Sequence, residues 1–266
     1  MSSMVDSSPP VLEVAPVGRM ALKQVASVLT IYRRMPGFVA ISMGLPVMFF
    51  LFFGLPNIGH RLPNGTSVGA FILGSLGAYA VSNVVVYNVG IGVANQRARK
   101  FDVLQRATPL PSWVAVLANL VGGLVLALLS LLALFVVAGA GGVHMDLSTW
   151  ATLLGWLLAG SLPMLGLGLA IGYGASANSA PAFASLLYLP MAFASGLFIP
   201  LHSLPDFVQK IAVYLPLYHY GQLAWNTVGA GDESIGRAIL WIAVWSVILL
   251  SLAARAYRLD ALRKFG

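Results

Sequence analysis

Tyr79, Asn83 and Tyr87 recur at i, i+4 and i+8, with Ser82 and Asn88 beside them, in a stretch from Leu62 to Gln96 that holds no Asp, Glu, Lys or Arg. Such a stripe can donate and accept hydrogen bonds, but it carries no charge near neutral pH. The groups that could move protons or hold ions lie elsewhere. The eight acidic residues are Asp6, Glu13, Asp102, Asp146, Asp206, Asp232, Glu233 and Asp260, and the four histidines are His60, His144, His202 and His219. All fall at the ends of apolar runs or between them. No His, Cys or carboxylate cluster has metal-ligand spacing, so no metal site is expected. No Ser-His-Asp or HExxH arrangement stands in a plausible context. The phosphate loop GxxxxGKS/T is absent. The chain is expected to have no catalytic site, to bind no ATP through a phosphate loop, and to lack the intramembrane ionisable groups that couple ion-driven carriers.

The elements that must hold the stripe follow from composition. The 266 residues are 59% hydrophobic and 9% charged, against about 25% charged in soluble domains. Charge is also missing from Met35 to His60, Ala107 to Met145 and Leu147 to Pro205. A bilayer-spanning helix needs about 20 apolar residues, so the fold class expected is an all-α polytopic membrane protein with six transmembrane helices. They are placed at roughly 37–55, 67–93, 112–138, 149–173, 180–199 and 236–255, the fifth following the turn-like GASANSAP. Residues 1–17 read as a disordered N-terminal tail and 18–34 as an amphipathic interfacial helix. Residues 35–266 read as the membrane domain, whose first span is expected to insert uncleaved. In the interfacial helix Leu22, Val25, Leu29 and Tyr32 oppose Arg19, Lys23, Ser27, Thr30 and Arg34.

Orientation follows from Lys and Arg. Twelve of the fifteen lie before residue 35, between 97 and 106, or after 254. The other three are Arg61, Lys210 and Arg237. Both termini and the 94–112 loop are expected to be cytoplasmic, which requires an even number of spans. The net charge of +7 is spread along span ends, so a membrane surface rather than nucleic acid is the expected partner.

The densest charge cluster, ANQRARKFDVLQRATPLPSW, lies in that loop. As a helix over 95–107 it sets Phe101, Leu104 and Ala107 on one face and Arg99, Asp102 and Arg106 on another. Thr108, Pro109, Leu110 and Pro111 then end it. From spacing alone it is either a positive-inside anchor or an element that docks on a partner.

The run QRARKFDVLQRATPLP resembles the coupling-helix region of ABC-2 type transporter permeases, matching at Arg97, Leu104, Arg106, Thr108, Pro109 and Leu110. Lys100 stands where that family commonly has Gly, and Asn95-Gln96 where it commonly has acidic residues. A second run, ASGLFIPLHSLPDFVQKIAVYLPLYHYGQL, resembles the family's segment between the last two spans. It matches at Ser195, Gly196, Phe198, Pro200, Leu204, Pro205, Ile211, Tyr214, Pro216 and Tyr218. The prolines break any continuous span there.

The resemblance implies the permease subunit of an ABC exporter. A second permease copy, identical or related, and an ABC ATPase subunit that binds ATP and Mg would be its partners, besides membrane lipids. The setting would be the cytoplasmic membrane of a prokaryote. Coupling would run through Arg97, Phe101, Leu104, Arg106, Thr108 and Pro109. Residues about 201–230 would form re-entrant outer helices containing Pro200, Pro205, Ile211, Tyr214 and Pro216 at their bounds and turns. The cargo pathway would be lined by Tyr79, Asn83 and Tyr87 of span two with Ser185, Tyr188 and Phe193 of span five. An uncharged lining suits an amphipathic or hydrophobic cargo such as a drug, antibiotic or lipid. Export of a polysaccharide or glycoconjugate, and a non-transport scaffold, are the alternatives. In span four Gly168 and Gly172 form GxxxG, read as close helix packing.

Overall fold

The computed structural model describes residues 16–99 and 112–265. Among them the fold is helical, with one isolated bridge between Arg61 and Ser67. Helix α1 (Val17–Arg34) is followed by α2 (Pro36–Phe49), which passes through a π segment (Phe50–Gly54) and a 3-10 turn (Leu55–Asn57). Helix α3 (Val68–Val84) continues through a second π segment (Val85–Val89) into α4 (Gly90–Ala98). Then come α5 (Ser112–Ala140), α6 (Leu147–Ala159), α7 (Leu162–Gly174), α8 (Ala180–Ala194), α9 (Asp206–Ala212), α10 (Pro216–Thr227) and α11 (Ile235–Phe265). Five stretches are long and apolar enough to cross a bilayer: Val39–Asn57, Val68–Ala98, Leu117–Ala140, Leu147–Gly174 and Ile235–Leu262. Their interruptions have local causes. Pro46 removes an amide from α2, and the Ser42 carbonyl it would have served accepts instead from Ser130 Oγ at 3.3 Å. Pro163, near the start of α7, marks the break at Gly160–Ser161, where Ser161 Oγ donates to Leu158 O at 2.7 Å.

The α3 rod is the centre, most of it buried. It packs on α5 and α10, while α11 lies along α7 and α7 along α4 and the adjoining π segment. Glycine allows these approaches. A Cβ on Gly168 would sit 3.1 Å from Val86 O, and one on Gly172 would sit 2.7 Å from Val93 Cβ and 2.9 Å from Gly90 O. The GxxxG expectation is realised within the chain, as contact of α7 with the span-two rod.

Three expectations shift. The span-two helix does not stop near 93 but runs to Ala98, its end tied to α7 through Arg97. Helix α8 ends at Ala194, short of 199, because Ser195 and Gly196 turn the chain, Gly196 with φ of +83°. Its 15 residues cover roughly 22 Å at ~1.5 Å per residue, below a full span. On α1 the most buried residue is Val28, which meets α5 at Gly122, whereas Leu22 of the expected apolar stripe is 73% exposed. Arg19, Lys23, Ser27, Thr30 and Arg34 are all exposed.

Candidate functional site

The span-two stripe forms a joint with α8. Tyr188 is fully buried at that joint, its hydroxyl donating to Tyr79 O at 3.1 Å and sharing a hydrogen bond with Ser82 Oγ at 2.8 Å. One turn further, Tyr87 Oη donates to Ser185 Oγ at 3.0 Å. The rings continue the seam. Tyr79 and Tyr188 are stacked at 6.2 Å, Tyr79 meets Phe198 edge-on at 4.8 Å, and Phe193 stacks on Phe198 at 4.6 Å. Helix α8 supports this with a single stripe, because Ala180, Ala184, Tyr188 and Ala192, four apart, are buried. Most of the rest of it, including Phe183, Leu186 and Leu187, faces outward. Five of the six pathway residues inferred from sequence therefore meet in one aromatic, hydroxyl-bonded seam. Asn83 stands apart, facing a cleft between α2 and α3.

Of the coupling residues, only Arg97 lies within the described part. Phe101, Leu104, Arg106, Thr108 and Pro109, and most of the helix expected over 95–107, lie outside it. Arg97 Nη1 donates to Gly172 O at 2.8 Å and Ala175 O at 2.9 Å, and Nη2 pairs with Asp260 Oδ1. The guanidinium thus sits on the carbonyl end of α7, where a cation is favoured, and ties the ends of α4, α7 and α11 together. The pair is largely enclosed, with side-chain exposures of 22% for Arg97 and 10% for Asp260. Arg97→Ala is expected to lower stability by about 2–3 kcal/mol, below the full value for a buried pair because of that exposure. The double variant Arg97→Ala/Asp260→Ala should recover part of the loss by removing the stranded carboxylate. Thermal unfolding of the detergent-purified chain reads both.

At the other end of the bundle, α9 and α10 have seven and twelve residues, each too short to span. Pro205 precedes α9 and Pro216 opens α10. Phe207, Ile211 and Tyr214 point outward, Phe207 being 66% exposed, so this side of the segment is turned away from the protein. Helix α10 is the reverse, buried from Pro216 to Trp225 and packed on α3, α6 and α11. Tyr220 Oη donates to Leu157 O near the α6–α7 break, and burial pushes its phenol well above its ordinary pKa, keeping it protonated.

Charge reasoning from sequence missed a buried site here. His219, fully buried, contacts Glu233 Oε2 through Nδ1 at 2.8 Å, and Arg237 Nε donates to Glu233 Oε1 at 3.1 Å. Trp241 stacks on the imidazole at 5.1 Å, nearly parallel. The Gln222 side-chain oxygen accepts the amides of Asp232 and Glu233. Glu233 falls in a loop by sequence, and the available hint was its i, i+4 spacing to Arg237 at the head of α11.

Several membrane-length helices around a charge-free aromatic seam define a multi-pass membrane protein. Residues 53–255 match the family model described as ABC-2 family transporter protein, and the chain belongs to that family. It is also similar to a Bacillus subtilis (strain 168) protein named "Putative transport permease YvfS", with 28% identity over 217 residues covering 80% of this chain and 87% of the relative.

Proposed function

We propose that the chain is the permease subunit of an ATP-driven exporter, moving an amphipathic or hydrophobic cargo outward across the cytoplasmic membrane of a prokaryote. The observation that carries this is the uncharged seam of Tyr79, Tyr87, Ser185 and Tyr188, in stretches of span two and span five that hold no Asp, Glu, Lys or Arg. Such spans need an energy source elsewhere, and family membership implies an ABC ATPase as the partner that binds ATP and Mg. Helix α8 with the turn after it serves as a sixth, short span, and α9 and α10 re-enter the outer side. Both termini and the Arg97 end then face the cytoplasm, as the distribution of Lys and Arg favours. The outward apolar face of α8 meets a second permease copy, and α1 lies on the inner leaflet with its basic stripe toward lipid headgroups.

The loop after Arg97 docks on the ATPase in this reading, with Phe101 and Leu104 as apolar contacts and Arg106, Thr108 and Pro109 shaping the exit into span three. Phe101→Asp or Leu104→Asp is expected to reduce copurified ATPase about tenfold, a loss of roughly 1.4 kcal/mol, with membrane insertion unchanged. Wild-type ATPase yield and export in both variants would remove the proposal.

A further inference from the structure

We infer that the cleft between α2 and α3 binds the neutral, hydrogen-bonding head of an amphiphile that enters sideways from the inner leaflet; the leaflet and the ligand's fate rest on the permease reading above. The cleft has a volume of about 210 Å³ and is lined by Ser42, Leu45 and Pro46 on one wall and Tyr79, Asn83 and Asn88 on the other. No lining residue is Asp, Glu, Lys, Arg or His.

Two carboxamides face this space. The Asn83 side chain makes no hydrogen bond to the described residues, and Asn88 lines the same cleft with the Tyr32 side chain as its hydrogen-bond neighbour. A carboxamide in apolar surroundings is costly while it lacks a partner, so of the two Asn83 is the one a ligand can serve. Their shared direction has a backbone cause. In an unbroken α-helix, residues five apart point about 140° away from each other. The π segment Val85–Val89 closes hydrogen bonds over five residues and so brings Asn83 and Asn88 toward one face. The facing wall is mainly apolar, with Leu45 and Pro46 beside Ser42.

A ligand that fits must bring both a donor and an acceptor for the Asn83 amide and an apolar body for the Leu45–Pro46 wall. An amide or hydroxyl head does so. A carboxylate or ammonium head would lose its water and find no counter-charge. At about 30 Å³ per water, the cleft takes a head of several heavy atoms, with the tail left among lipid.

The chain has no cysteine, so Ser42→Cys reports on the cleft alone. In nanodiscs holding the full permease without ATPase, dodecanamide is expected to slow its reaction with N-ethylmaleimide by about fivefold, as a mostly occupied pocket requires. Dodecanoate and dodecyltrimethylammonium should change it little. Asn83→Leu added to Ser42→Cys should abolish the protection, and Leu186→Cys on the open face of α8 should show none. Equal slowing by all three amphiphiles, or by none, overturns the site, whether or not Asn83→Leu folds. Amide-specific protection without amide-stimulated ATP hydrolysis in the assembled complex would keep the site and discard the transport reading. Stimulation without protection would do the reverse.

Discussion

Gly172→Leu is expected to leave almost no folded protein in the membrane, and Gly172→Ala to cost about 1–3 kcal/mol, the range for forcing atoms into a packed core. The reason is what a Cβ would meet. Val93 Cβ at 2.7 Å and Gly90 O at 2.9 Å belong to α4, and α4 cannot yield because Gly90 is itself pressed on the Gly168 carbonyl, 3.1 Å from where its own Cβ would be. Three glycines therefore interlock the span-two rod with α7, and relief at one tightens another. Gly155→Ala in α6 is the control. A Cβ there meets nothing within 4 Å, so this change should be neutral or stabilising by up to about 1 kcal/mol, the helix propensity difference. Fluorescence-detected size exclusion of each variant, followed by thermal unfolding, separates the two cases.

The second large effect is expected at Glu233. Removing its side chain in Glu233→Ala strands the Nδ1 of His219, which is fully buried and stacked on Trp241. A buried polar group left unpaired costs about 1–3 kcal/mol, or a fall in melting temperature on the order of 5 °C for a chain of this size. Arg237 contributes little, since its side chain is 65% exposed. Glu233→Gln keeps an acceptor for the imidazole and should retain most of the stability, while Arg237→Ala should be close to wild type. A ranking in which Arg237→Ala matches Glu233→Ala would show that the surface pair, not the buried one, holds the segment.

Most of the helical architecture could be read from the chain, because bilayer-length apolar runs and proline breaks are one-dimensional signals. The turn at Leu55–Asn57, the break before Pro205 and the tight packing at Gly168 and Gly172 all stood in the sequence. The i, i+4 stripe and the family resemblance singled out Tyr79, Tyr87, Ser185 and Tyr188 as pathway residues, but not their hydrogen bonds to one another in a seam between α3 and α8. Three-dimensional closure was not legible. Nothing local in Glu233 says that α10 will roof it over. The π segments at Phe50–Gly54 and Val85–Val89 have no composition of their own, yet the second decides which way Asn88 points. Arg97 read as a group waiting for a partner, and within the chain it already holds Asp260, 163 residues away.

The burial of α10 constrains how the protein can be made. Its twelve residues rest on α3 and α6, which are synthesised earlier, and on α11, which is synthesised after it. Asp232 and Glu233 follow α10 within a few residues, so Gln222 and His219 can find their partners before α11 is made. Helix α11 also supplies the long face against α7 and the carboxylate that closes on Arg97. The α10 end can thus latch first, whereas a nascent chain stalled before Ile235 leaves Arg97 without its carboxylate and α7 without that face. Assembly is a clasp closed in two steps, the second by the 31-residue α11, so docking of that helix is the event that a check on the folded bundle can sense.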